Sequence, residues 1–230
     1  MKVAIWSDVR CPFCYIGKRK FEAALEKFEY KDKVEITWHS FQLDPYLKTQ
    51  TEMNIYDYFA DRKGQSREYA KQVHRQVVQT AKEVGLSFNF DKAVIANSFN
   101  AHRIIQLAKT KGLGDAAEEQ LFKAYFTEGK NIDDNGTLLQ IGISIGLNEE
   151  EVKETLTTDA YAEAVQEDER KAQTINVRGV PFFVFNDKYV ISGAQSPEVF
   201  LETLEGVWEE FKKDASTISE GDSCSLNGDC

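Results

Sequence analysis

The stretch from Lys2 to Trp38 constrains the fold more tightly than any other part of the chain. Lys2 to Ser7 is an apolar run of strand length, Pro12 to Phe28 has helical spacing, and Val34-Glu35-Ile36-Thr37-Trp38 alternates as a second strand. Two strands joined through a helix make a β-α-β unit, which places them parallel in one sheet. At the junction of the first strand with the helix stands Cys11-Pro12-Phe13-Cys14. A Cys-x-x-Cys at that junction is the arrangement that dithiol redox chemistry needs.

The chemistry follows from the thiolate. A neutral thiol attacks disulfides poorly, and a free cysteine has a pKa of about 8.5. If Cys11 caps the helix and Pro12 takes its first position, where a missing N–H costs nothing, the free backbone donors and the helix dipole point at the Cys11 sulfur. Cys11 is therefore the expected nucleophile. Cys14 lies roughly one turn further along and is the expected resolving thiol. Pro12 and Phe13, held beside the nucleophile, are expected to touch the substrate. The cationic neighbours readable here are Arg10, Lys18 and Arg19. Two other uses of the pair are weaker. A zinc site would need a second ligand pair at ordinary spacing, and a static crosslink would suit a secreted domain, whereas the first residues meet charge too early for a secretory segment.

After Pro45 the pattern turns helical up to about Ile175, with apolar residues three and four apart, as at Tyr69, Val73, Val77, Ala81 and Val84. Punctuation falls at Gly85, at Gly112 with Gly114, at Asn135-Gly136, and at Gly146 followed by Asn148 as a cap, leaving room for roughly five to seven helices. Sheet then resumes. Phe182-Phe183-Val184-Phe185 and Tyr189-Val190-Ile191-Ser192 are strand candidates joined by Asn186-Asp187-Lys188 as a hairpin turn. Ser196-Pro197-Glu198 opens a last amphipathic helix carrying Val199, Leu201, Leu204, Val207, Trp208 and Phe211. The expected organisation is an α/β chain with a discontinuous sheet domain (1-48 and 176-213), an inserted helical domain (49-175) and a flexible tail (214-230).

The 230 residues suffice for a substantial core, and no apolar run approaches the roughly 18 residues of a membrane helix. A formal charge of −10 repels phosphate backbones and anionic lipid, which argues against nucleic acid and membranes as partners. No metal or organic cofactor is called for. The expected site of action is the cytoplasm, where a close-spaced cysteine pair is catalytic or redox-sensing rather than a staple.

A β-α-β unit with Cys-x-x-Cys at its first helix, a Val-Pro before a returning hairpin and a final helix resembles the thioredoxin superfamily, and the inserted helices resemble its DsbA-like branch. The blocks Ser7-Asp8-Val9-Arg10-Cys11-Pro12-Phe13-Cys14-Tyr15-Ile16-Gly17, Phe41-Gln42-Leu43-Asp44-Pro45, Asn97-Ser98-Phe99-Asn100-Ala101-His102-Arg103 and Gly179-Val180-Pro181-Phe182-Phe183, then Ser192-Gly193-Ala194-Gln195, are similar to the FrnE-type family of DsbA-like oxidoreductases. The resemblance implies a thioredoxin-like fold and thiol–disulfide exchange with protein or small-molecule disulfides and thiols, glutathione among them. It implies that Val180-Pro181 is cis and presents a backbone edge opposite Cys11, with Val180 and Pro181 binding substrate. It also places Asn97 and Arg103 in a helical lid, where they would hold a carboxylate or peptide group; a helix cap or surface pairing is the other reading of that block. No catalytic role is assigned to His39, His74 or His102. With uncharged Phe13 before Cys14, the pair is expected to be less oxidising than that of relatives with a histidine there.

Beyond Lys213 the composition cannot build a core, yet the tail holds Cys224 and Cys230. A second C-terminal dithiol accompanies some FrnE-type members, and the tail's reach of roughly 20 Å would let this pair exchange with Cys11 and Cys14. An inert tail and a zinc site joining all four cysteines are the other arrangements. Two further function classes are open. The kappa-class glutathione transferases and hydroxychromene carboxylate isomerases resemble the same scaffold, but typically carry serine for the first cysteine and lack the second. A non-catalytic holdase would grip unfolded chains beside Pro181 and survive loss of both thiols.

Overall fold

The computed structural model describes residues 1–220. Its sheet has four strands in the order β2-β1-β3-β4. β1 (Lys2–Ser7) pairs parallel with β2 (Glu35–Ser40) and antiparallel with β3 (Phe182–Phe185), and β3 pairs antiparallel with β4 (Tyr189–Ser192). The hairpin closes as its sequence predicts. Asn186 and Asp187 both hold left-handed φ (46° and 57°), and the Lys188 N–H donates to the Phe185 carbonyl at 3.0 Å. That turn matches the twist of the flanking strands.

Alternation along the strands sorts the sheet into two faces. Val3 and Ile5 lie opposite Phe185 and Phe183. On their face they pack with Phe21 of α1 (Pro12–Leu25) and Phe200 of α9 (Pro197–Glu220). These four phenylalanines are fully buried, and each contributes about 1.5–3 kcal/mol. Ala4 and Trp6 lie opposite Val184 and Phe182, and with Ala172 of α8 (Ala162–Thr174) they make the second, smaller core. Helix α8 thus covers the sheet although it falls within the stretch read as the helical insertion. Buried Asp168 secures it: Oδ1 lies 2.6 Å from His39 Nδ1, and Oδ2 accepts from Ser40 N at 3.0 Å.

The other helices of the block are α2 (Ile55–Lys63), α3 (Arg67–Glu83), α4 (Phe99–Thr110), α5 (Gly114–Phe122), α6 (Asn135–Ser144) and α7 (Glu149–Thr157). A π-helical segment, Lys123–Glu128, continues α5. Among the described residues the inserted stretch therefore holds seven α-helices, the upper end of the expected range. Asn148 caps α7 through Glu150 and Glu151 N–H groups. Asn135-Gly136 is not a break: it forms the first turn of α6, because Asp134 accepts from Thr137 N at 2.7 Å and starts the helix there. Helix α1 ends at Leu25, before Phe28, and α9 runs past Lys213 to Glu220, there being no proline or glycine between Lys213 and Gly221 to stop it.

The first turn of α1 belongs to the core of the helical block. Cys11, Cys14, Tyr15 and Ile16 pack there with Ile104, Ile105, Leu121, Phe122 and Phe126. The dithiol consequently sits at the seam between sheet and helices. No helix among the described residues is long and apolar enough to cross a membrane.

Candidate active site

β1 delivers the chain to the site through Asp8, whose buried side chain shapes the turn. Its Oδ1 accepts from Arg10 N at 3.1 Å and its Oδ2 from Leu43 N at 2.8 Å, while its carbonyl accepts from Cys11 N at 2.8 Å. The turn sets Cys11 at the N-cap of α1 in extended conformation with Pro12 next, as predicted. Cys14 N donates to the Cys11 carbonyl at 3.0 Å, so the second sulfur follows one turn deeper. Both thiols are free. Cys11 retains 5 % of its surface and Cys14 1 %, whereas Phe13 between them is 45 % exposed. Pro12 and Phe13 line the same cavity as Cys11.

Opposite Cys11, Val180-Pro181 is cis, and Cys11 Sγ lies 3.5 Å from the Val180 carbonyl oxygen. The loop is tied to β4 by Gly193 N, which donates to the Pro181 carbonyl at 2.8 Å. It is seated directly on α1. A Cβ at Gly17 would stand 2.9 Å from Pro181 Cγ, so only glycine lets helix and loop approach this closely.

The two sulfurs have different surroundings. Burial pushes the Cys14 thiol well up, a hydrogen bond and charge at Cys11 add to the effect, and the Asp8 backbone and the Ser7 side chain work weakly against it. Cys14 is thus held protonated. Behind Cys14 lies a buried polar group that sequence reasoning missed. Ser7 Oγ stands 3.5 Å from Glu118 Oε2, and His102 Nε2 stands 3.6 Å from Asp8 Oδ1. All four residues are fully buried. Burial raises the Glu118 carboxyl to about 7, with Asp115 and Asp8 adding and His102 and Lys18 opposing. Burial works to discharge His102, but Asp8 more than offsets it and raises its pKa; Asp8 is correspondingly lowered by His102 and Arg10 in spite of its own burial. Ser7 therefore stands between Cys14 and a carboxyl able to exchange a proton near neutrality.

Asn97 and Arg103 are both engaged with partners inside the protein. Asn97 donates to the carbonyls of Pro45 (3.3 Å) and Leu47 (2.8 Å) and accepts from Phe99 N (2.7 Å) and Gln42 Nε2 (3.2 Å). Two donors and two lone pairs are all that a carboxamide has, and Asn97 spends them all within the protein. Arg103 is buried and donates to the carbonyls of Ala160 (2.9 Å), Thr155 and Thr158 and to Asn100 Oδ1. It closes the C-terminal end of α7, whose last carbonyls would otherwise lack donors. Among the described residues no group of three or more His, Cys, Asp or Glu is arranged to hold a metal. Cys224 and Cys230 lie outside the described residues.

A cavity of about 450 Å³ opens over Cys11. Its walls include Phe59 of α2, Val77 of α3, Phe90, and Tyr125 and Phe126 of the π-helical segment. That segment is the local irregularity that turns two aromatic rings toward the sulfur, and such insertions are frequent at functional sites.

The DSBA-like thioredoxin domain family model matches residues 2–205. The chain is 29 % identical over 205 residues to the uncharacterized protein YwbO of Bacillus subtilis (strain 168), covering 88 % of this chain and 94 % of that one. It is similar to the crystal structure of the probable DsbA oxidoreductase SCO1869 from Streptomyces coelicolor, with a TM-score of 0.85 and 32 % identity over 100 % of this chain and 94 % of the other. A 2-hydroxychromene-2-carboxylate isomerase shares the fold at a TM-score of 0.66 and 16 % identity, over 95 % of this chain and 99 % of its own.

Proposed function

The chain belongs to the DSBA-like thioredoxin domain family, and on that premise we propose that it is a thiol–disulfide oxidoreductase with Cys11 as nucleophile and Cys14 as resolving thiol. The observation that carries this reading is the asymmetry of the pair. Cys11 caps α1 at the floor of a cavity, against the Val180 carbonyl, while Cys14 is sealed one turn deeper with its thiol held protonated.

In the reducing direction the Cys11 thiolate attacks a substrate disulfide RS–SR′, forming Cys11–S–S–R and expelling R′S⁻. Cys14 then loses its proton, attacks the Cys11 sulfur and expels RS⁻. Two electrons pass to the substrate and Cys11–Cys14 becomes the disulfide. The oxidising direction runs the same steps backwards. The proton that Cys14 must shed is within reach of Glu118 through the Ser7 hydroxyl, a supporting feature of this reading.

The substrates are disulfides and thiols, with Val180 and Pro181 beside the reacting sulfur. The glutathione-dependent isomerase reading rests on a shared fold, and two cysteines at the site favour exchange. The test is reduction of insulin with dithiothreitol and refolding of a scrambled disulfide protein. Wild type is expected to catalyse exchange and Cys11→Ser to lose it. Cys14→Ser is expected to accumulate a mixed disulfide visible by mass. An inactive wild type, or an active Cys11→Ser, overturns the proposal.

A further inference from the structure

Two cations, Arg10 and Lys63, interrupt the apolar walls of the cavity over Cys11. Arg10, the covalent neighbour of the nucleophile, lines it, and its Nε and Nη1 are buried without a hydrogen-bond partner. The nearest acid cannot serve those atoms. Asp8 spends Oδ1 on the Arg10 main-chain N–H and Oδ2 on Leu43 N, and turns Oδ1 also toward His102. Burial works to discharge the guanidinium, but a hydrogen bond with the Tyr125 side chain and the charge of Asp8 raise its pKa, so it stays a cation. A half-buried cation with two orphaned nitrogens is costly to maintain, and an anion reaching the guanidinium from the cavity would relieve it.

The surroundings define that anion further. Lys63 lines the same cavity, and a smaller adjoining space of about 170 Å³ is lined by Arg10, Lys63, Arg62 and Asp44; the last two pair with each other, which leaves Arg10 and Lys63 as the cations of the mouth on a chain of net charge −10. Phe59, Phe90 and Phe126 offer ring faces rather than hydrogen bonds. A volume of about 450 Å³ suits a small molecule, which such sites bind through apolar walls and a few placed polar groups.

Resting on the exchange reading above, we propose that this cavity receives a low-molecular-weight disulfide or thiol with a ring-sized apolar body and a carboxylate, the carboxylate held by Arg10 while the sulfur meets Cys11. With a symmetric aryl disulfide, Cys11 forms Cys11–S–S–aryl and releases one aryl thiolate. Cys14 then closes the Cys11–Cys14 disulfide and releases the second, so two electrons pass from the dithiol to the aryl disulfide.

The probes are dithiobis(nitrobenzoate), which bears a carboxylate on each ring, and dithiodipyridine, which bears none. Release of the coloured thiolate from each is followed by stopped flow with the reduced full-length protein, its Arg10→Gln and its Arg10→Lys variants. Arg10→Gln is expected to slow the carboxylated disulfide about tenfold or more relative to the uncharged one, with Arg10→Lys intermediate and the ratio surviving about 1 M salt, which screens long-range fields but not a direct contact. Equal slowing of both disulfides, no slowing, or a ratio that collapses in salt overturns the proposal while leaving exchange at Cys11 intact. If the wild-type dithiol attacks neither probe, the exchange reading itself fails and this inference with it. Should Arg10→Gln not fold, the wild-type to Arg10→Lys comparison decides by the same ratio.

Discussion

Replacing Glu118 by glutamine tests the buried polar group behind Cys14 through two independent readouts. A carboxyl whose folded pKa is about 7 against an ordinary 4.5 binds more protons in the native than in the unfolded chain between those values. The sign follows: native stability is lost as pH rises through that window and levels off above it. At about 1.36 kcal/mol per pH unit the full loss is about 3.4 kcal/mol, of which about 2.5 kcal/mol falls between pH 5 and 8. Glutamine has nearly the same shape and no proton to lose. Urea unfolding of both proteins at several pH values should therefore show the stability advantage of Glu118→Gln growing by about 2.5 kcal/mol from pH 5 to 8. His102 adds a fall of its own above its ordinary 6.5, since its folded pKa is also raised, and because Glu118 is one of the groups that raise it, the variant keeps a smaller part of that fall. The second readout is kinetic. The variant should be the more stable protein at pH 8 and yet resolve mixed disulfides about a hundredfold more slowly at pH 7, because the proton acceptor behind Ser7 is gone. A stability difference that does not change with pH refutes the burial argument, and an unchanged resolution rate refutes the proton path.

Gly17→Ala should slow exchange about tenfold with a stability cost of about 1–3 kcal/mol, because the new methyl meets Pro181 at 2.9 Å and pushes the loop off Cys11; insulin reduction beside thermal unfolding checks it. Asp168→Asn should cost about 3–5 kcal/mol at neutral pH, since it strips Lys109 of its buried counter-charge and removes the carboxylate that His39 and Ser40 N hydrogen-bond. In wild type His39 and Lys109 hold that carboxyl below the ordinary 3.8 in spite of its burial, so this contribution is present above about pH 4 and lost as pH falls further, an acid-unfolding slope that the variant should lack. Arg103→Met should destabilise by about 2–4 kcal/mol, leaving the carbonyls of Thr155, Thr158 and Ala160 without a donor, with kcat/KM for model disulfides unchanged. A raised KM at unchanged stability would return Arg103 to the substrate.

What could be read from the chain was whatever local chemistry decides. The strand Lys2–Ser7, the Pro12 start of α1 and the hairpin about Asn186-Asp187 are each dictated by residues in direct succession, and they stand where the pattern puts them. The residues that escaped are those whose meaning depends on a partner far along the chain. Arg103 looked like a lid cation because its true partners are carbonyls more than fifty residues away, on a helix end that only packing brings to it. Glu118 and Glu119 are adjacent acids that sequence leaves indistinguishable, yet Glu118 is sealed behind Cys14 while Glu119 pairs with Arg19 on the rim. Their separation is set by which side of α5 meets β1 and α1, a tertiary choice. Arg10 was visible only as a charge near the motif. Its buried and unpartnered nitrogens appear once α2, α3 and the π-helical segment wall off the space above Cys11. The inserted helices thus do more than enlarge the core: by removing water from both sides of the dithiol they turn Glu118 into a group that titrates near neutrality and Arg10 into a cation in want of an anion, and neither property exists in the β-α-β unit alone.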